Sequence, residues 1–164
     1  SLMHQQHSII KMYIAVNHGI FPFPKGLISA PVKRRPNSIM LRCVSIDGDE
    51  AITQFSELMN FKKLNTSVNE FSLKTGRTHQ IRVHSLFCNK PVIGDGLYGA
   101  SSNDNRHYQK SSFLDNEIGR QALHACYISF IHPITGDKIE IYDPIPDDMQ
   151  NLISIMEKME TASL

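Results

Sequence analysis

A dozen consecutive residues, Leu73-Lys74-Thr75-Gly76-Arg77-Thr78-His79-Gln80-Ile81-Arg82-Val83-His84, carry two arginines, two histidines, a glutamine and two threonines. Guanidinium and imidazole groups at this density suit the binding of phosphate or carboxylate, and they are costly to bury without partners. The Lys74-Thr75-Gly76 step reads as a strand running into a turn, because glycine accepts the positive φ that sharp turns need. From Thr78 the sequence predicts a helix, with Thr78 available as its N-cap. The start of such a helix turns unbonded N–H groups and a favourable dipole end toward an anion.

Helical spacing places His79, Val83, Leu86 and Phe87 on one side of this helix, the expected core-facing stripe. Arg82 borders that stripe, so its stem can be covered while its guanidinium projects into a cleft. Ile81 lies on another face; if it too is covered, the helix is sandwiched or borders a ligand. A metal hydrolase built on His79, His84, His124 or His132 is a competing reading. It is disfavoured because His79 and His84 are five apart, not the four that aligns two ligands on a helix. No metal and no cofactor are expected. His84 and His124 are read as hydrogen-bonded structural histidines or as ligand contacts.

The charge distribution narrows the ligand class. The 164-residue chain has a formal net charge of only +1. Yet residues 1–37 hold Lys11, Lys25, Lys33, Arg34 and Arg35 and no acid, a balance of +5. Residues 62–90 hold six basic residues, among them Lys62 and Lys63, against Glu70, again +5. Residues 137–164 balance at −5, with seven acids and two lysines. Basic segments within a near-neutral chain indicate a side that faces a polyanion. Lys33-Arg34-Arg35, read as loop, and Lys62-Lys63 are the candidate contacts with that polyanion, RNA under the family resemblance given below. For Arg77, phosphate contact and internal pairing stay open.

With 41% hydrophobic and 20% charged residues, the composition is that of a folded single domain, residues 1–164. No apolar run approaches a membrane span. Cys43, Cys88 and Cys126 are too few and too scattered for a disulfide framework or zinc knuckle, which fits an intracellular compartment.

The remaining elements must carry the dozen-residue stretch. Residues 1–8 are expected to fray. Ile9 to His18 reads as a strand stopped by Gly19, and Phe21 to Gly26, with two prolines, as a loop. Ser38 to Ile46 and Ala51 to Leu58 read as partner strands around Asp47-Gly48, and Val68 to Leu73 as a third. Gly94-Asp95-Gly96-Leu97-Tyr98-Gly99 has the outline of a dinucleotide fingerprint. It follows a helix and Pro91 rather than a strand, so a structural turn is expected. Residues 100–119 read as a mobile insertion, and Arg120 to Phe130 as a central strand covered on both faces. His132 to Asp137 reads as a hairpin turn leading into Lys138 to Tyr142. A last helix, capped by Asp147, carries Met149, Leu152, Ile153, Met156 and Met159 on its apolar side. The result is an α+β architecture, a largely antiparallel sheet with a few packed helices.

Several of these stretches, taken together, resemble the RluA-type RNA pseudouridine synthases. They are Thr75 to His84, then Lys90-Pro91-Val92-Ile93-Gly94-Asp95 and Tyr98-Gly99; Arg120 to Ala125 with His132-Pro133; Gly48 to Thr53; and Lys11-Met12-Tyr13-Ile14-Ala15. Their order and spacing agree over nearly the whole chain. The resemblance implies a catalytic domain with a mixed, mainly antiparallel sheet and an RNA cleft along it. It implies isomerisation of uridine to pseudouridine in ribosomal or transfer RNA without cofactor. Tyr13 falls on the active-site tyrosine, a candidate for proton abstraction at C5 of the base. Arg82 falls on the basic residue that ion-pairs with the nucleophilic aspartate. Ile81 and Val83 flank it as candidate walls of the uracil pocket, with Arg77, Thr78, His79, Gln80 and His84 as further substrate-side candidates.

The sequence departs from the family at one point. The nucleophilic aspartate belongs to a His-Arg-Leu-Asp segment upstream of the Lys-x-Tyr strand, and no such segment occurs here. Asp47, Asp49 and Asp95 sit in other contexts. Three expectations follow: a catalytic domain incomplete at its N-terminus, a segment supplied by another chain, or a catalytically inactive RNA-binding protein of the same fold. An incomplete sheet would also expose an edge through which two copies could associate.

Overall fold

β-Branched and aromatic residues alternate through Ile-Lys-Met-Tyr-Ile-Ala-Val-Asn-His, and this run forms β1 (Ile10–His18) in the middle of the sheet. In the computed structural model, residues 9–99 and 109–162 are described. The other strands are β2 (Lys25–Ser29), β3 (Val32–Arg34), β4 (Arg42–Val44), β5 (Ile52–Phe61), β6 (Thr66–Leu73), β7 (Leu123–Ile131) and β8 (Lys138–Tyr142). The helices are α1 (Gln80–Phe87), α2 (Leu114–Ile118) and α3 (Asp147–Thr161). Six strands form one sheet in the order β2-β5-β6-β1-β7-β8, and β3 and β4 form a separate hairpin. Every strand pair among the described residues is antiparallel.

β1 has neighbours on both sides. It pairs with β6 from Met12 to His18 and with β7 from Ile10 to Ala15. Where β7 diverges, the segment after α1 takes its place: the His18 N–H donates to the Pro91 carbonyl and the Ile93 N–H to that of Val16. β1 is therefore flanked on both sides, and the edges of the sheet are β2 and β8.

Register decides which residues share a face. Tyr13 stands opposite Phe71, Phe71 opposite Phe55, and Thr53 opposite Leu73. Thr53 bonds to α1, so this is the face that α1 covers. Phe21, Phe55 and Phe71 cluster there, with the Phe21 and Phe55 centroids 4.3 Å apart. On the opposite face His18 bonds through Nδ1 to Ser111 and through Nε2 to Asp115 of α2. α2 packs on α3, which brings Leu114, Met149, Leu152 and Met156 into the same core.

Several local expectations give way to longer-range pairing. Lys33-Arg34 is strand, not loop, and β4 is a short strand whose partner is β3 rather than β5. β5 pairs instead with β6 and with β2, whose Lys25-Gly26 continues directly from the proline loop. Gly26 is required there because the Phe55 ring lies over it, 2.5 Å from where a Cβ would be. β7 is not covered on both faces; Ala125 is exposed and most of its residues are half-buried. Asp147 makes no capping bond to α3, and Met159 is 40% exposed. Of the stretch expected to be mobile, residues 100–108 lie outside the described residues, as do residues 1–8; the rest contains α2, with Leu114 fully buried.

Candidate functional site

The turn before α1 is organised by Gln80 rather than by Thr78. The Gln80 Oε1 accepts from the Thr75 hydroxyl and the Arg77 N–H, both at 2.9 Å. Its Nε2 donates to the Ile52 carbonyl and to Thr53 Oγ1. The Thr75 hydroxyl in turn accepts the Ile52 N–H. This buried amide so ties the ends of β5 and β6 to the helix start. The helix begins two residues later than Thr78, at Gln80, and His79 at the N-cap position takes a left-handed φ of 58°. Thr78 is exposed and makes no capping bond. Gln80 is a buried brace between β5, β6 and α1.

α1 is sandwiched. Ile81 enters the main core, and Val83 enters a second cluster with Val32, Ala51 and Tyr98. Phe87, expected on the core-facing side, is instead 56% exposed, because two bodies cover the helix from different directions. Ile81 thus packs inward rather than lining an open pocket, while Val83 borders a hollow shared with Leu86, Leu97 and Tyr98.

Between these two covered faces Arg82 is nearly buried. Its Nε and Nη2 donate to the two carboxylate oxygens of Asp95 at 2.7 and 2.6 Å. Its guanidinium carbon lies 4.9 Å from the centre of the Tyr98 ring. The carboxylate bonds raise the arginine's affinity for its proton, outweighing the effect of burial. The Tyr98 hydroxyl accepts the Arg42 N–H at 2.8 Å. The same hydroxyl is in hydrogen-bond contact with Nδ1 of His79, 2.9 Å away. Burial, then the charges of Arg82 and Arg42, hold the His79 pKa down. One tyrosine so joins the helix start, the arginine and the β3–β4 hairpin.

His84 is fully buried, its Nε2–H donating to the Ala30 carbonyl at 2.8 Å while Nδ1 accepts from Thr53 Oγ1. Both ring nitrogens are engaged in these bonds. Burial lowers its pKa from 6.5, with the Ala30 carbonyl opposing. A histidine depressed in the folded state is more protonated in the unfolded chain over the interval below about 6.5. Stability must then fall as pH drops through that interval. We expect the urea midpoint to decrease from pH 7 to pH 5, with His84 contributing up to about 1.4 kcal/mol per pH unit. His84→Gln should flatten that dependence while lowering stability at neutral pH.

Tyr13 is half-buried on the face of the sheet that α1 covers, beside a register shift between Met12 and Tyr13 in the pairing with β7. A cleft of about 370 Å³ is walled by Val32, Lys33, Arg34 and Arg42 of the hairpin, Asp49, and Gly76, Arg77 and Thr78. Lys33 is bonded there to Asp47, which holds that carboxyl down to about 2, with Ser45 assisting. Arg77 donates through Nε to the Glu50 carbonyl, which anchors it at the cleft mouth and leaves its Nη groups available. Arg35 lies instead in the adjoining hollow beside Leu41 and Phe87. Lys62 and Lys63 belong elsewhere. They sit at the β5–β6 turn, the other end of β6 from Arg77, with their N–H groups on Glu160 of α3. At about 3.4 Å per residue, the eight residues of β6 separate the two ends by roughly 25 Å.

Sequence reasoning passed over Asp95, Tyr98 and Arg42 as site residues. The first two stood in view within Gly94-Asp95-Gly96-Leu97-Tyr98-Gly99, a turn as expected, but one whose acid and tyrosine point at Arg82. Among the described residues no group of three His, Cys, Asp or Glu side chains is placed to hold a metal ion. Nor is any described helix long and apolar enough to cross a membrane.

Comparison with known proteins agrees with this geometry. The family model for RNA pseudouridylate synthase matches residues 1–86. The RNA pseudouridine synthase YjbO of Bacillus subtilis is 41% identical over 150 residues, covering 91% of this chain and 48% of that protein. Ribosomal large subunit pseudouridine synthase D of Blochmanniella floridana is 35% identical over 153 residues, covering 92% and 47%. The chain thus spans about half the length of the curated relatives it matches. Among solved structures, human RNA pseudouridylate synthase domain containing 4 superposes with a TM-score of 0.66 at 20% identity, over 91% of this chain and 62% of that one. Human RNA pseudouridylate synthase domain containing 1 gives 0.65 at 21%, over 91% and 66%. Those two likenesses establish the fold. With a family model matching more than half its length, this chain belongs to the RNA pseudouridylate synthase family.

Proposed function

We propose that the protein isomerises uridine to pseudouridine in RNA, with Arg82 and Tyr13 in the reacting site. The observation that carries this reading is the nearly buried Arg82, held by Asp95 along one edge of its guanidinium, on the helix that covers the Tyr13 face of the sheet. The chemistry asks for these types. The glycosidic bond from N1 must break, the base must turn, and a bond from C5 must form with loss of the C5 proton. An aspartate nucleophile stays ionised and aimed beside a guanidinium. Tyr13 supplies a ring to pack against the extruded base and an oxygen for the C5 proton. The half-closed surroundings limit access of water to a detached base.

RNA is read here as backbone contact along the hairpin and the Arg77 loop. Arg34→Ala and Arg77→Ala are each expected to weaken RNA binding and to lower the slope of log affinity against log salt by about 0.7 to 0.9. Lys62→Ala with Lys63→Ala, at the far end of the sheet, should leave that slope unchanged. Filter binding across a salt series measures both.

Release of tritium from C5-tritiated uridine in RNA by the full-length gene product tests the activity. Stoichiometric release with appearance of pseudouridine is expected. A folded, RNA-binding protein that releases none would instead be a non-catalytic RNA binder of the same fold.

A further inference from the structure

We propose that the hollow between α1 and the β3–β4 hairpin is a second nucleotide subsite, which takes an unstacked base of the RNA other than the reacting uridine. This rests on RNA as the substrate and not on the roles given to Arg82 and Tyr13. The hollow measures about 250 Å³ and is walled by Arg35, Leu41 and Arg42 on the hairpin side, Leu86 and Phe87 of α1, and Leu97. That is below the roughly 300–1,000 Å³ of pockets for drug-sized ligands, room for one flat ring system and too little for a partner helix. It is not the pocket of the reacting base. Tyr13 packs against the core that Ile81 enters, whereas the hollow opens on the Val83 flank of α1. Residues two apart on a helix point about 200° from each other, so α1 stands between the two.

Shape and charge select a nucleotide. Phe87 is 56% exposed and Leu97 37%, so an aromatic ring and an aliphatic side chain meet solvent at an apolar hollow. Among the described residues no acid lines it, and two arginines do. A ring on which a base stacks, beside guanidinium groups for its phosphates, is the recurring arrangement for single-stranded RNA. Arg42 also lines the basic cleft with Arg34 and Arg77, so one strand can lay its phosphates along the cleft and reach the hollow. The hairpin wall is held in place before any ligand arrives. The Arg35 N–H donates to the Leu41 carbonyl and the Leu41 N–H to the Ser38 hydroxyl, both at 2.9 Å. Nη1 of Arg42 donates to the Met40 and Leu41 carbonyls at 3.2 Å, and its N–H to the Tyr98 hydroxyl ties the hairpin to the turn beyond α1. A preformed wall spares the ordering cost of binding. Extruding one uridine leaves its neighbour short of a stacking partner, and the Phe87 ring supplies one.

The test uses the full-length gene product with Phe87→Ala and Phe87→Trp, and two probes. One is a short oligouridylate; the other is an abasic ribose-phosphate chain of the same length, which keeps the charge and lacks the bases. Phe87→Ala is expected to weaken oligouridylate binding at least about fivefold, the loss of one stacked base, with the slope against salt unchanged. Binding of the abasic chain should not move. Phe87→Trp should keep the parent affinity. The chain has no tryptophan of its own, so the emission gained over the parent reports on the hollow. Oligouridylate should quench that emission, and the abasic chain should not. Phe87→Ala within about twofold of the parent on oligouridylate would overturn the proposal, as would an equal loss on both probes. So would a tryptophan shielded from acrylamide before RNA is added, because protein would then already fill the hollow. Tritium release by the parent with unquenched tryptophan would overturn the subsite alone. Quenching without tritium release would overturn the isomerisation reading and leave the subsite standing. A parent protein that bound no oligouridylate would overturn both.

Discussion

Arg82→Ala is expected to reduce turnover by at least about a thousandfold, a loss of some 4 kcal/mol of transition-state stabilisation. The structure adds a second consequence that charge and spacing alone did not show. Removing the guanidinium leaves Asp95 buried with its charge unanswered, and breaking such a pair from one side typically costs about 3–5 kcal/mol of stability. A dead variant could then be an unfolded one. Arg82→Ala combined with Asp95→Asn separates the two effects, since it removes the stranded charge as well. Thermal and urea unfolding should show the double variant regaining much of the lost stability, while tritium release remains at background. RNA affinity should stay within a few-fold for the folded double variant, because the cleft residues Arg34, Arg42 and Arg77 are untouched. Turnover within tenfold of the parent, about 1.4 kcal/mol, would remove Arg82 from the reacting site.

The elements nearest the site were readable where local sequence and tertiary contact agree. β1, β6 and the β7–β8 hairpin follow their β-branched alternation and glycine stops, and α3 buries Met149, Leu152, Ile153 and Met156 as its spacing predicts. Legibility failed where pairing is long-range. The string Lys33-Arg34-Arg35-Pro36 has every local sign of a loop, yet Val32–Arg34 becomes strand because Arg42–Val44 comes to meet it. The faces of α1 were misread for a related reason. A single apolar stripe assumes one core, whereas Ile81 and Val83 serve two. At the site, the residue types in Thr75 to His84 marked a donor-rich helix start, and the resemblance gave Arg82 its role. They gave no indication that its partner would be Asp95, thirteen positions on and in another element. Gln80 and His84, placed among the substrate-side candidates by the resemblance, bond to buried backbone groups at Ile52 and Ala30. A polar residue on a buried helix serves the fold at least as readily as the ligand.

Gly94→Ala is expected to destabilise the protein by more than about 4 kcal/mol, beyond the ordinary range for a single substitution. Three constraints meet at this residue. Its φ of +72° costs an alanine roughly 1 kcal/mol relative to glycine. A Cβ there would lie 2.0 Å from the Arg120 carbonyl oxygen and 2.6 Å from Cγ2 of Ile118. The oxygen belongs to backbone, so relief requires moving the chain that enters β7 or the segment that Ile93 pins to β1. That segment is held by the Ile93 N–H on Val16, the Ala122 N–H on Ile93, and the Gly94 N–H on Asp115 of α2 at 2.7 Å. Displacing it also displaces Asp95, the next residue, from Arg82. The measurement is the urea midpoint at constant slope, paired with turnover under conditions where the variant is still folded. Turnover per folded molecule should fall as well, because an Asp95 shifted by even 1 Å no longer meets both Nε and Nη2. Gly96→Ala, three residues before Gly99 and with no atom within 4 Å of its Cβ position, is the matched control and should be near neutral in both measurements. A Gly94→Ala protein as stable as that control would mean that the 91–95 segment is not held where these bonds place it.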